Sequence, residues 1–162
     1  MKTPAFFLAV LAAFPALAGA LIPDGVARDI AAHGARAVVA RLSASGDYDR
    51  VMDRVDKGDA RWIALVPKLA PGADAGLAEE LPIALAFALP NNPGAVLSVL
   101  EGKDGFAVED VCSAPFIEGT VKSIPAYVKR AKAALARVAD PNLAKVKAAC
   151  VAQLEKVIVP WR

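Results

Sequence analysis

The chain has 162 residues, of which 56% are hydrophobic, 22% are charged and 6% are aromatic. With 19 Lys and Arg against 17 Asp and Glu, the net charge of +2 is too small for an electrostatic nucleic-acid binder, and the apolar content is too high for a disordered chain. One His and two Cys are too few for a zinc site of the usual nitrogen and sulfur type.

Residues 1–20 have the pattern of a secretory signal peptide. A lysine precedes an apolar run of roughly ten residues, and small residues follow that run. We expect cleavage after Ala20, with Ala18 as the alternative. The apolar run is shorter than the ~20 residues of a transmembrane span. We therefore expect residues 21–162 to form a single exported domain.

Hydrophobic residues recur at helical spacing along residues 21–100. Asp24 is expected to cap a first helix that continues to Leu42. Asp47 and Asp59 are expected to begin the second and third helices, because each precedes a run with apolar residues on one side.

Prolines and caps organise the next part of the chain. Pro67 should end or kink the third helix, since it lacks an amide donor. Asp74 is expected to begin a fourth helix, in which Pro82 either produces a kink or starts a separate helix. Asn92 followed by Pro93 is typical of a helix start.

After a polar loop at 101–105, we expect a short helical turn at 108–112 and two longer helices at 125–138 and 140–160. The chain is thus predicted to be all-α, with seven or eight short helices. Short connections make successive helices antiparallel, so the architecture is an irregular helical bundle or a HEAT-like array. No residue signature repeats at a fixed period.

Cys112 and Cys150 are the only cysteines. In an exported protein the default expectation for such a pair is an intramolecular disulfide, and the alternatives are free thiols or a redox pair. Their spacing is unlike the C-x-x-C of redox-active pairs. A disulfide closing this loop is worth roughly 4 kcal/mol in the chain-entropy model.

Two other segments invite a functional interpretation. His33, the only histidine, lies near the apolar side of the first helix with Asp29 one turn earlier, and we expect it to be a partly buried structural residue. The acidic segment 47–59 departs from the calcium-loop pattern and is expected to be a solvated helix face with internal ion pairs.

Phe106 and Phe116 flank Cys112 in a segment with no strong helical period. Because loops carry contacts more often than helix faces do, we expect these two rings to bind a partner. The alternative is that both rings cover the end of the core. The basic bias of residues 122–156 could attract an acidic partner or simply form a solvated face.

No nucleophile elbow, dinucleotide fingerprint or phosphate loop occurs in the sequence. We therefore expect a periplasmic or secreted, non-enzymatic protein that binds another protein of the cell envelope, without cofactor or nucleic acid. An inhibitor or immunity protein is one form of this function. The alternatives are a structural accessory component of an envelope complex, or an enzyme using dispersed Asp, Glu and Ser residues. An enzyme should have a concave pocket that holds a carboxylate of perturbed pKa.

Overall fold

The computed structural model describes residues 21–100 and 106–157, and the predicted all-α fold is confirmed. The predicted signal peptide, the polar loop at 101–105 and residues 158–160 of the predicted last helix lie outside the described residues. Within them, the last helix ends at Glu155, earlier than predicted. Among the residues described, the only β-type pairing is an isolated bridge between Leu100 and Phe106.

Five helices make up the N-terminal part of the described chain. They are α1 (Pro23–His33), α2 (Ala35–Ser45), α3 (Asp47–Asp56), α4 (Ala60–Ile63) and α5 (Val66–Leu69). Five more follow: α6 (Ala75–Ala88), α7 (Pro93–Leu97), α8 (Val108–Cys112), α9 (Ile124–Ala136) and α10 (Ala144–Glu155). Short 3-10 turns at Ala70–Gly72 and Pro141–Leu143 precede α6 and α10.

The predicted first helix is divided in two. Gly34 has a φ of 82°, which is outside the helical region, and its N–H donates to the carbonyl of Ile30 at the end of α1. Since glycine adopts positive φ without steric cost, the chain turns here and restarts as α2. This break, together with the four-residue helices α4 and α5, makes the helical segments shorter than predicted.

Most of the predicted helix starts are confirmed. Side chains of Asp59, Asp74 and Asn92 accept hydrogen bonds from the amides of the helices that follow them. Asp47 is the first residue of α3, as predicted, whereas Asp24 lies inside the first turn of α1, and neither side chain caps its helix. An acidic residue in the first turn still favours the helix through its interaction with the helix dipole.

Helix α6 lies at the centre of the domain and contacts α3, α7 and α8. Pro82 lies inside this one continuous helix, which excludes the alternative that it starts a separate helix. Helix α10 packs against α8 and α9. The larger aliphatic side chains that are fully buried in the core of the domain are Ile63, Leu69, Leu81, Leu85, Leu89, Leu97, Leu135 and Leu154.

Gly72 allows the turn before α6 to approach the start of α2 closely. A Cβ at this position would lie within hard contact of the Ala35 carbonyl group and of the Arg36 nitrogen. Only a residue without a side chain fits there. None of the helices described is both long enough and apolar enough to cross a membrane.

Candidate functional site

The disulfide predicted between Cys112 and Cys150 is present. The S–S distance is 2.02 Å, and both residues are fully buried. It joins the last residue of α8 to the middle of α10, and it therefore fixes the start of the irregular segment 113–123, which we call the 113–123 loop.

Phe116 holds the 113–123 loop against the core. Its ring lies 4.6 Å from the ring of Phe87 in a tilted arrangement and 4.6 Å from the ring of Tyr127 in an edge-to-face arrangement. Such aromatic pairs are favourable beyond the area that they bury. Phe116 is partly buried, so most of its ring serves packing within the domain.

Phe106 is also partly buried and packs against the core. Its backbone N–H donates to the carbonyl of Val99 over 3.2 Å. Among the described aromatic contacts, none joins Phe106 to Phe116. The two rings therefore have separate surroundings, and their role in binding a partner stays a prediction.

The most exposed large hydrophobic residue of the described chain is Ile117, which is 68% exposed. Its carbonyl accepts two hydrogen bonds from Thr120, one from the backbone N–H over 3.1 Å and one from the hydroxyl over 2.7 Å. The turn that carries Ile117 is thus held by its own hydrogen bonds. Sequence reasoning missed this residue, although three consecutive apolar residues in a loop indicate that one of them faces outward.

Ala114 is the only described residue other than glycine with a positive φ, at 59°. A left-handed conformation costs a residue with a Cβ roughly 1–2 kcal/mol. It persists here between the buried Cys112 and the packed Phe116, which fix the chain on both sides. Strain of this kind is often found where a loop has a functional role.

A cavity of about 420 Å³ lies between the 113–123 loop and the ends of α9 and α10. Its walls are formed by Ser113, Ala114, Phe116, Ile124, Gln153, Lys156 and Val157. The lining is mixed, with aliphatic and aromatic surface beside a single charged side chain. One face of the 113–123 loop thus borders an open groove.

A second cavity, of about 290 Å³, lies between the ends of α3 and α6, the first half of α9 and the 113–123 loop. It is lined by Asp53, Asp56, Lys57, Phe87, Pro90, Asn91, Val121, Tyr127 and Arg130. Phe87 and Tyr127 are the two rings that Phe116 contacts, so the 113–123 loop supports the wall of this cavity. No sequence pattern indicated this arrangement, because its residues come from distant helices.

The second cavity contains one carboxyl group with a raised pKa, that of Asp56. Burial raises the pKa of Asp56 to about 6, and the neighbouring Asp53 adds to the effect. Lys57 opposes this rise in pKa as the smallest of the three contributions, and its ammonium is paired with the Asp53 carboxylate over 2.5 Å. A half-buried carboxyl group with this pKa can gain or lose a proton near neutral pH.

Other residues singled out in the sequence have simpler surroundings. His33 is exposed at the end of α1, so the expectation of a partly buried histidine is wrong, because the break at Gly34 ends the apolar side there. Asp29 pairs with Arg41 rather than with the histidine. In segment 47–59, ion pairs line the outer face of α3, as predicted.

No group of three potential metal-ligating side chains comes together within 21–100 and 106–157. Searches of protein-family models, of curated proteins and of solved structures find no match to this chain.

Proposed function

We propose that this chain is an exported, non-enzymatic protein that binds another protein of the cell envelope through the 113–123 loop. The signal-peptide pattern of residues 1–20 supports export. The buried disulfide is compatible with it, because disulfides persist in oxidising compartments. The mature chain then begins at Leu21 or at Gly19, according to the cleavage site.

The exposure of Ile117 is the single observation that carries this proposal. Fully burying an isoleucine side chain in a partner is worth roughly 1.5–3 kcal/mol. A loop that is already ordered loses little conformational entropy on binding. The disulfide, the ring of Phe116 and the bonds to Thr120 supply that order.

The net positive charge of the helices that follow the 113–123 loop supports an acidic partner, while the loop itself carries one acidic residue, Glu118, and one basic residue, Lys122. Residues 122–156 contain eight Lys and Arg but only two Asp and Glu. Lys132 is paired with Glu155 between α9 and α10, whereas Lys129 and Arg137 are exposed. A partner with an apolar pocket and an acidic rim would match this surface in both shape and charge. An exported enzyme that this chain inhibits is one such partner, and an envelope complex is another.

Site-specific photo-crosslinking in living cells tests the contact. A photoreactive residue at position 117 should give a discrete crosslinked product, while one at the exposed Ile22 should not. The same contrast should appear for Ile117→Asp and Ile22→Asp, with only the former losing the partner. Equal crosslinking from both positions, or no product from position 117, would refute the proposed contact.

An enzyme is the second candidate, because Asp56 meets the criterion of a carboxyl group with a raised pKa in a concave cavity. Asp56→Asn should then abolish any hydrolytic activity detected in the purified protein, while Asp49→Asn on the exposed side of α3 should leave it unchanged. Activity that survives in Asp56→Asn would exclude this role.

A further inference from the structure

The second cavity holds two opposite charges that the described protein does not pair. Within the residues that the structure covers, neither the Asp56 carboxylate nor the Arg130 guanidinium forms an ion pair or a side-chain hydrogen bond. The remaining charges of the cavity, on Asp53 and Lys57, neutralise each other at 2.5 Å. Two charges of opposite sign are therefore available to a molecule inside the cavity.

The cavity is already formed without a ligand. The Asn91 side chain donates to the carbonyl of Asp56 over 3.0 Å and approaches that of Phe87 at 3.4 Å, which ties the end of α3 to the end of α6. Opposite them, the Tyr127 hydroxyl is engaged with the carbonyl of Ala86 over 2.9 Å. These bonds fix the positions of the residues that form the walls, so a ligand need not reorganise them.

We propose that this cavity binds a small zwitterion, an organic molecule with an amine, a short apolar body and a carboxylate. The amine pairs with Asp56 and the carboxylate pairs with Arg130. The apolar body lies against Phe87, Pro90 and Tyr127.

Three properties of the cavity select this chemistry. Its volume of about 290 Å³ is at the lower end of the range for small-molecule sites, so the ligand is the size of an amino acid or a dipeptide. A simple amine would form only the ion pair with Asp56, and a simple carboxylate only the ion pair with the exposed Arg130, whereas a zwitterion gains both charge-assisted pairs. A metal ion is disfavoured by the cationic Lys57 and Arg130 in the same lining.

The acidity of Asp56 supports the amine at its end of the cavity. With a pKa of about 6 this carboxyl is ionised at neutral pH at the cost of desolvation, and a bound ammonium group offsets that cost. The cavity is lined by Val121 of the 113–123 loop but not by Ile117, so this inference does not rest on the proposed contact with a partner.

An NMR titration of the whole mature chain tests the proposal. The zwitterions glycine, 4-aminobutanoate and 6-aminohexanoate serve as probes, with hexylamine and hexanoate as probes of one charge each. At least one zwitterion should shift the ring resonances of Phe87 and Tyr127, and it should bind at least about tenfold more tightly than either singly charged probe.

Variants identify the two charges. Asp56→Asn and Arg130→Gln should each weaken binding of that zwitterion about tenfold or more, whereas the matched controls Asp49→Asn and Lys129→Gln should not. Binding should also weaken as the pH falls through about 6. The proposal is overturned if no zwitterion shifts these resonances, if hexylamine binds equally well, or if the control variants weaken binding as much as the site variants.

Discussion

The hydroxyl of Tyr127 on α9 donates a buried hydrogen bond of 2.9 Å to the carbonyl oxygen of Ala86 on α6. In an uninterrupted helix that carbonyl would accept from the amide four residues later, but this residue is Pro90, which has no N–H. Within the described residues, the backbone amide that donates to it is that of Leu89, over a long distance of 3.3 Å. A tyrosine 41 residues away thus supplies the donor that the proline removes.

Tyr127→Phe should lower the free energy of unfolding by about 1–3 kcal/mol, because it leaves the Ala86 carbonyl buried with a weak partner while keeping the ring contact with Phe116. Urea denaturation followed by circular dichroism measures this. Tyr48→Phe is the matched comparison, since its hydroxyl donates over 3.0 Å to the carbonyl of Leu77, which is partly buried whereas Ala86 is fully buried, and its effect should be smaller. A Tyr127→Phe variant as stable as the parent would contradict the assigned role.

Replacing both Cys112 and Cys150 by Ala should lower stability by roughly 4 kcal/mol, because the disulfide closes a loop with a sequence separation of 38. Thermal melts of the parent and the variant, each with and without reductant, measure the effect. The parent should lose stability in reductant and the variant should not change. Identical melting curves for the parent in both conditions would refute the stabilising role.

Asp56→Asn should stabilise the protein by about 1 kcal/mol at pH 7 and have little effect near pH 3.5. The folded-state pKa is raised to about 6, so the parent has its full stability below the unfolded pKa and loses some of it as the pH rises through 6. The variant has no charge to desolvate at the end of α3, where the helix dipole also disfavours an anion. Urea midpoints of the parent and the variant at both pH values test this. An equal stabilisation by Asp56→Asn at pH 7 and pH 3.5 would contradict desolvation of the carboxylate as its cause.

Gly72→Ala should be strongly destabilising, by about 2 kcal/mol or more, because its Cβ would collide with the backbone of Ala35. Gly94→Ala is the control, since a Cβ there meets nothing within 4 Å and the residue lies in helix α7, where alanine is favoured. We expect Gly94→Ala to be neutral or stabilising. Melting temperatures of the two variants that did not differ would contradict the close approach of the 3-10 turn to α2.

The helical class and most helix starts could be predicted because their causes are local. A capping residue such as Asp59, Asp74 or Asn92 acts on amides two or three positions away, and the sequence displays both partners. The break at Gly34 was missed because an isolated glycine is also tolerated inside helices. Whether it breaks the helix depends on what α1 and α2 pack against.

The disulfide was predicted from the expected export and from the number of cysteines, whereas the cavities could not be predicted. Asp56, Phe87 and Arg130 lie on three different helices, and no spacing in the sequence relates them. Phe116 was singled out correctly as a residue of an irregular segment. Its position between Phe87 and Tyr127 depends on long-range packing that the sequence does not display.

The covalent link between α8 and α10 spans the whole 113–123 loop and α9. A protease that cuts after Lys122 would therefore leave two polypeptides joined through sulfur. The cleaved molecule would migrate as one band on a non-reducing gel and as two bands after reduction. The loop can thus be cut while both fragments stay covalently joined. Binding measured on the cut protein would then show whether an intact loop is required, without loss of the helices on either side.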